Sequence, residues 1–190
     1  MTARTWTTLG SGLFLGHLED LDGPSLLPGW TRRHLVAHVH FNALALTRLA
    51  SWAATGVESR MYGSREQRAA EIEDGSRWDP DVLRSRVRES AAALAAALDD
   101  LSEDAWRAEV VTAQGRTVPA TEIPWMRARE VMVHTVDLGT GVTFADLPAD
   151  FTAALLADVV AKRAAAGEGP GLAAWLTGRA ERAPDLGPWL

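Results

Sequence analysis

The sequence predicts an all-α protein: an antiparallel four-helix bundle with a short C-terminal extension. Three observations predict it. Apolar residues recur at helical spacing in four long segments, extended runs are confined to residues 108–120, and Gly–Pro clusters separate the segments.

Residues 5–20 carry Trp6, Leu9, Leu13 and Leu18 at helical spacing, in spite of three glycines. DGPSLLPGW (22–30), with two Pro and two Gly, breaks that run. Thr31 then reads as the N-cap of a helix running to about Ala54, with Leu35, Val39, Ala43 and Leu46 along one side. SREQRAAEIED (64–74) reads as a short polar helix. The next segment, 79–101, starts at a capping Asp79 with Pro80 in its first turn and carries the stripe Leu83, Val87, Ala91 and Leu94. Residues 108–120 hold two short extended runs around Gln114-Gly115. Pro124 opens PWMRAREVMVHTVDL, which ends near Gly139 and Gly141. ADFTAALLADVVAKRAAA (149–166) is apolar and Ala-rich, with GEGPG a hinge before LAAWLTGRA and an irregular tail. The domain reading is a bundle over 1–148 and an extension over 149–190. In such bundles, sites are built from side chains on facing helices.

The 190 residues are enough to bury a core without disulfides. A net charge of −6 argues against general binding to nucleic acid or an anionic membrane, both of which need clustered Lys and Arg. With no cysteine, any metal site must be made of His and carboxylates, and no protein thiol can act as nucleophile. MTARTWTTLG lacks a charged stretch followed by an apolar run, and no stretch approaches 18 apolar residues, so a soluble cytoplasmic protein is expected.

Two stretches carry the chemistry. WTRRHLVAHVHFN (30–42) holds three of the five histidines, with His34 and His38 one turn apart on a helix. RAREVMVHTVDLG (127–139) places Glu130 and His134 four apart, with Arg127 a turn earlier and Asp137 almost a turn later. That polar stripe faces either water or a buried polar site. A Glu–His pair at this spacing is common on solvated helices, and the spacing alone is a weak signal. Pairing with the earlier helix strengthens it: one imidazole from 31–54 plus Glu130 and His134 is the His₂Glu set of a catalytic zinc site, with an open fourth position. His38 is the expected third ligand, more than a turn into its helix; His34 takes that place if the register shifts by one turn. His₂Glu also accepts nickel, cobalt or iron.

LPGWTRRHLVAHVHFNALAL and PWMRAREVMVHTVDLG together resemble the mycothiol-dependent maleylpyruvate isomerase family, one of the DinB-like metal-binding bundles; the resemblance covers roughly residues 5–150. It implies a metal held by His38, Glu130 and His134, and mycothiol, a cysteinyl pseudodisaccharide thiol, as cofactor. The implied reaction converts maleylpyruvate to fumarylpyruvate: the thiolate adds to the cis double bond, the resulting single bond rotates, and loss of the thiol leaves the trans isomer. The substrate is a dianion, for which Arg127 is the best-placed guanidinium, its alternative being an ion pair with Glu130. Asn42 is a candidate contact to substrate or thiol, or else a helix–helix hydrogen bond. Asp137 is a candidate acceptor from a ligand imidazole. Trp30 and Trp125 either wall the pocket or pack in the core; His17 and His40 read as structural.

The resemblance departs at the C-terminus. Residues 149–168 and 171–190 resemble the beginning and end of the family's second domain, without the strands between, so 149–190 reads as a shortened remnant of it. Arg179 and Arg182 receive no role. A homodimer built through Trp175–Leu190 would supply the missing wall; monomer and homodimer both stay open. The alternatives to the isomerase are a mycothiol S-transferase acting on small electrophiles and a non-catalytic metal-binding bundle.

Overall fold

A computed structural model describes residues 1–187. It divides into two compact units, Met1–Phe144 and Ala145–Leu190.

The first unit is built on four long helices: α1 (Ala3–Leu15), α2 (Arg32–Thr55), α4 (Pro80–Asp99) and α6 (Ile123–Asp137). α1 packs on α6, α6 on α2, α2 on α4, and α4 meets α1, closing the bundle. α3 (Arg65–Ser76) lies against α2, and a single-turn helix α5 (Glu103–Arg107) precedes a small hairpin. The hairpin pairs β1 (Glu109–Val111) antiparallel with β2 (Thr117–Pro119), Val110 opposite Val118, across a turn where Gly115 takes a left-handed conformation.

Local chemistry sets the boundaries. Thr31 accepts from the His34 amide and the His34 ring answers from the N-cap amide, a reciprocal capping box that starts α2; Gly56, at φ 74°, stops it. Ser64 and Asp79 cap α3 and α4. α1 ends at Leu15 rather than near residue 20, because Gly16 terminates it. Leu18 and Leu21 are nevertheless buried, from irregular backbone. Periodicity could not separate that from another helical turn. The five-residue α5, capped by Ser102, is too short to show a period at all.

The core follows the pattern on α2 and α4 but not on α1, where Leu9 is exposed and Phe14 is the large side chain buried. Leu35, Val39, Ala43 and Leu46 of α2 are all fully buried, as are Leu83 and Val87 of α4. α1 and α6 approach closely at Gly10: a Cβ there would sit 2.6 Å from Val131 Cγ2 and 3.0 Å from Met132 Cγ. The 22–30 segment seals the far end of α6. Leu26 N–H donates to the Asp137 carbonyl at 2.7 Å, and Arg32 donates to the carbonyls of Leu138 (2.7 Å) and Gly139 (3.2 Å). A guanidinium there satisfies otherwise orphaned carbonyls and complements the helix dipole.

The second unit contains α7 (Ala149–Arg163) and α8 (Gly169–Leu176). The break between them is the 164–168 turn, where Gly167 has φ 90°. The expected GEGPG hinge is therefore displaced: Gly169 and Pro170 already belong to the first turn of α8, where a proline needs no donor. Residues 181–187 have no regular structure. Residues 188–190 of the Trp175–Leu190 segment, the expected dimer surface, lie outside the described residues. No helix among the described residues is long and apolar enough to cross a membrane.

Candidate metal centre

α6 is buried nearly all round. Val131, Met132, Val133 and Thr135 are enclosed, and the stripe of Glu130, His134 and Asp137 keeps less than a fifth of its side-chain surface exposed. The polar stripe therefore faces an interior polar site. Its counterpart on α2 is His38, whose Nε2–H donates to Glu130 Oε2 at 2.8 Å. His134 Nε2 lies 3.4 Å from the same oxygen, and the two imidazoles meet edge to face with centroids 4.9 Å apart. One ligand atom from each of His38, Glu130 and His134 falls within 4.8 Å of the others. Ligand atoms bonded at about 2.0–2.1 Å on a tetrahedron stand roughly 3.4 Å apart. The donor set and its spacing fit a divalent cation.

The surroundings orient the donors. His134 Nδ1–H donates to Asp137 Oδ2 at 2.8 Å, which leaves Nε2 for the centre. Burial works against a charged His134, yet its hydrogen bonds to Asp137 and Glu130 outweigh burial and lift its pKa to about 9. Burial likewise opposes ionisation of Glu130. Electrostatic attraction to His38 and hydrogen bonds from both histidines override it, leaving the carboxyl well below its ordinary range. Burial lowers the pKa of His38, with Glu130 pulling the other way. A cation at this centre takes the place of the protons held there, so metal uptake and proton release are coupled.

The other sequence candidates find these places. Arg127 and Asn42 meet each other: Arg127 Nη1 donates to Asn42 Oδ1 at 2.9 Å and to the Val39 carbonyl at 2.8 Å. Arg127 is 1% exposed, and burial brings its pKa down to about 10, so it remains a cation at neutral pH. His34 serves the α2 cap and contacts Glu73 Oε2 at 3.2 Å, tying α2 to α3. Trp30 stands edge-on to His38 with centroids 5.5 Å apart, as a wall of the centre; Trp125 instead meets Trp6 of α1. His17 bonds the Leu13 carbonyl, and His40 bonds the Arg86 carbonyl and Ser90.

Two residues next to the centre escaped the sequence reading. Arg68 of α3 donates from Nη2 to His38 Nδ1 at 3.1 Å, and its guanidinium lies 5.6 Å from the Tyr62 ring centroid. Burial raises the Tyr62 hydroxyl pKa, opposed by Arg68. Arg68 sits in a helix with no apolar period, and Tyr62 in a loop; only its being the chain's single tyrosine sets it apart.

Comparison with known proteins agrees with this geometry. The family model described as the mycothiol maleylpyruvate isomerase N-terminal domain matches residues 13–139. The crystal structure of the mycothiol-dependent maleylpyruvate isomerase superposes with a TM-score of 0.86 at 46% identity, covering 89% of this chain and 72% of that one. A histidine-to-alanine mutant of that enzyme gives a TM-score of 0.85 with the same identity and coverage. No curated protein matches significantly. With the match spanning both helices that bear the donor residues, the chain belongs to the mycothiol maleylpyruvate isomerase family through that N-terminal domain.

Proposed function

We propose that this chain is a divalent-metal, mycothiol-dependent isomerase that converts maleylpyruvate to fumarylpyruvate. The observation that carries the reading is the convergence of His38, Glu130 and His134 in a chain 46% identical to a solved mycothiol-dependent maleylpyruvate isomerase. These three residues would hold the metal, zinc by donor set, with nickel, cobalt and iron compatible. The bound metal and mycothiol would together supply a thiolate at neutral pH, the form able to add reversibly to a cis double bond.

The chain's own residues do the remaining work in this reading. Asp137 holds the His134 ring so that Nε2 points inward. Trp30 covers one side of His38 and limits water there. Arg127 and Asn42 tie α2 to α6, and Arg127 contributes fixed positive charge close to Glu130, favouring anionic ligands. Residues 149–190 are read as an abbreviated counterpart of the family's second domain, because the described part of that stretch holds only helices, turns and irregular backbone. The substrate is a small anionic molecule, and monomer and homodimer are both compatible.

The test is an assay of zinc-loaded protein with mycothiol, following the ultraviolet absorbance of maleylpyruvate. The expected result is isomerisation that needs both metal and thiol. Maleylpyruvate left unchanged by fully zinc-loaded protein in the presence of mycothiol overturns the reading.

A further inference from the structure

Several arginines in the bundle are paired with a carboxylate: Arg4 with Asp99, Arg32 with Asp20, Arg33 with Asp22, Arg60 with Glu58, Arg77 with Glu73, Arg84 with Asp81 and Arg107 with Asp104. Arg68 is different. It is half-buried, and its side chain meets the Tyr62 ring and the Nδ1 of His38, neither of which carries a compensating charge. Among the described residues no carboxylate pairs with it. A half-buried guanidinium without a carboxylate partner, beside a candidate metal centre, is placed to receive an anion.

Its hydrogen bond to His38 cannot survive ligation. Arg68 donates to Nδ1 at 3.1 Å, which requires an imidazole whose hydrogen sits on Nε2, where Glu130 accepts it at 2.8 Å. A neutral imidazole bound to metal through Nε2 carries its hydrogen on Nδ1 instead. Two donors would then face each other, and the guanidinium has to turn away while the Tyr62 face still supports it.

We propose that Arg68 is the residue that binds a carboxylate of the substrate beside the metal. Arg127 cannot take this part, since it is 1% exposed and already committed to Val39 and Asn42. The charges fit an anion: a divalent ion with Arg68 and Arg127 outweighs the carboxylates of Glu130 and Asp137. A bidentate guanidinium–carboxylate contact would fix the substrate's orientation and reduce its repulsion of an incoming thiolate. The inference rests on the isomerase reading for its substrate class.

The experiment uses the full chain loaded with zinc and the dicarboxylate maleate as probe, with binding measured by calorimetry for wild type, Arg68→Met and Arg68→Lys. Zinc affinity and thermal midpoint are measured on each. Arg68→Met is expected to bind maleate about 10- to 100-fold more weakly, with zinc affinity unchanged and the Michaelis constant for maleylpyruvate raised more than kcat falls; Arg68→Lys recovers part of the loss. Wild-type protein that ignores maleate, or an Arg68→Met variant that binds it equally well, overturns the inference. So does a variant whose zinc affinity collapses, which would make Arg68 a support for His38. The two proposals fail separately. Arg68-dependent maleate binding without isomerisation removes the enzyme reading, whereas isomerisation with Arg68-independent binding removes this one.

Discussion

His134 and Asp137 illustrate how a single hydrogen bond can govern a centre. Because Asp137 accepts from Nδ1 at 2.8 Å, the neutral ring must offer Nε2. Asp137→Asn is expected to weaken metal affinity by about 10- to 100-fold, read by competition with a chelator; Glu130→Gln, which removes a ligand, should weaken it further. Arg127 and Asn42 invite a double-mutant cycle. Asn42→Ala should cost about 1.5–3 kcal/mol by denaturant unfolding at fixed metal concentration, since it strips a charge-assisted bond inside the core. Asn42→Ala combined with Arg127→Met should cost less than the sum of the singles. His40 gives a pH dependence. Burial, partly offset by the Arg86 carbonyl, holds its pKa below the usual 6.5, so the unfolded chain takes up a proton that the folded one refuses. Its contribution is present above the unfolded pKa and fades as pH falls below it. The stability gap between wild type and His40→Gln should accordingly narrow between pH 7.5 and 5, by thermal melts. At this scale the sequence exposed what helical spacing exposes. Glu130 and His134 share a face because they are four apart, and His38 follows once its helix is opposed to theirs. Arg68 comes from a third helix whose approach to His38 is a tertiary fact, with no trace in local pattern.

Helix contacts were legible wherever an apolar stripe was continuous, as on α2 and α4. They were not legible where a glycine made the contact. Gly10 counts against α1 on propensity, yet it is what lets α1 lie close to Val131 and Met132 of α6. Gly10→Ala should therefore destabilise, by about 1–3 kcal/mol through overpacking, despite the better helix former. Gly12, where an added Cβ meets nothing within 4 Å, provides the control: Gly12→Ala should be neutral or stabilising. Both are read from chemical unfolding midpoints. The misplaced end of α1 has a physical cause. Leu18 and Leu21 continue a plausible spacing past Gly16, but their burial comes from loop backbone, which periodicity does not distinguish.

Across the molecule, the ligands lie far apart in sequence on α2 and α6, so only the folded bundle assembles them. A metal at this centre stabilises the fold by mass action. Zinc at a hundredfold excess over its dissociation constant should contribute about 2.7 kcal/mol, which for a chain of this length raises the thermal midpoint by roughly 5–10 °C. Scanning calorimetry with and without chelator checks it; a midpoint indifferent to zinc would exclude site occupancy. The buried Arg127 has a further consequence for the same assembly. Sliding α2 by one turn against α6 would strand a permanent cation in apolar surroundings, so the two rods are keyed to one alignment. The donors on them are thereby pre-set, and little of the affinity for an incoming ion needs to go into arranging its nest.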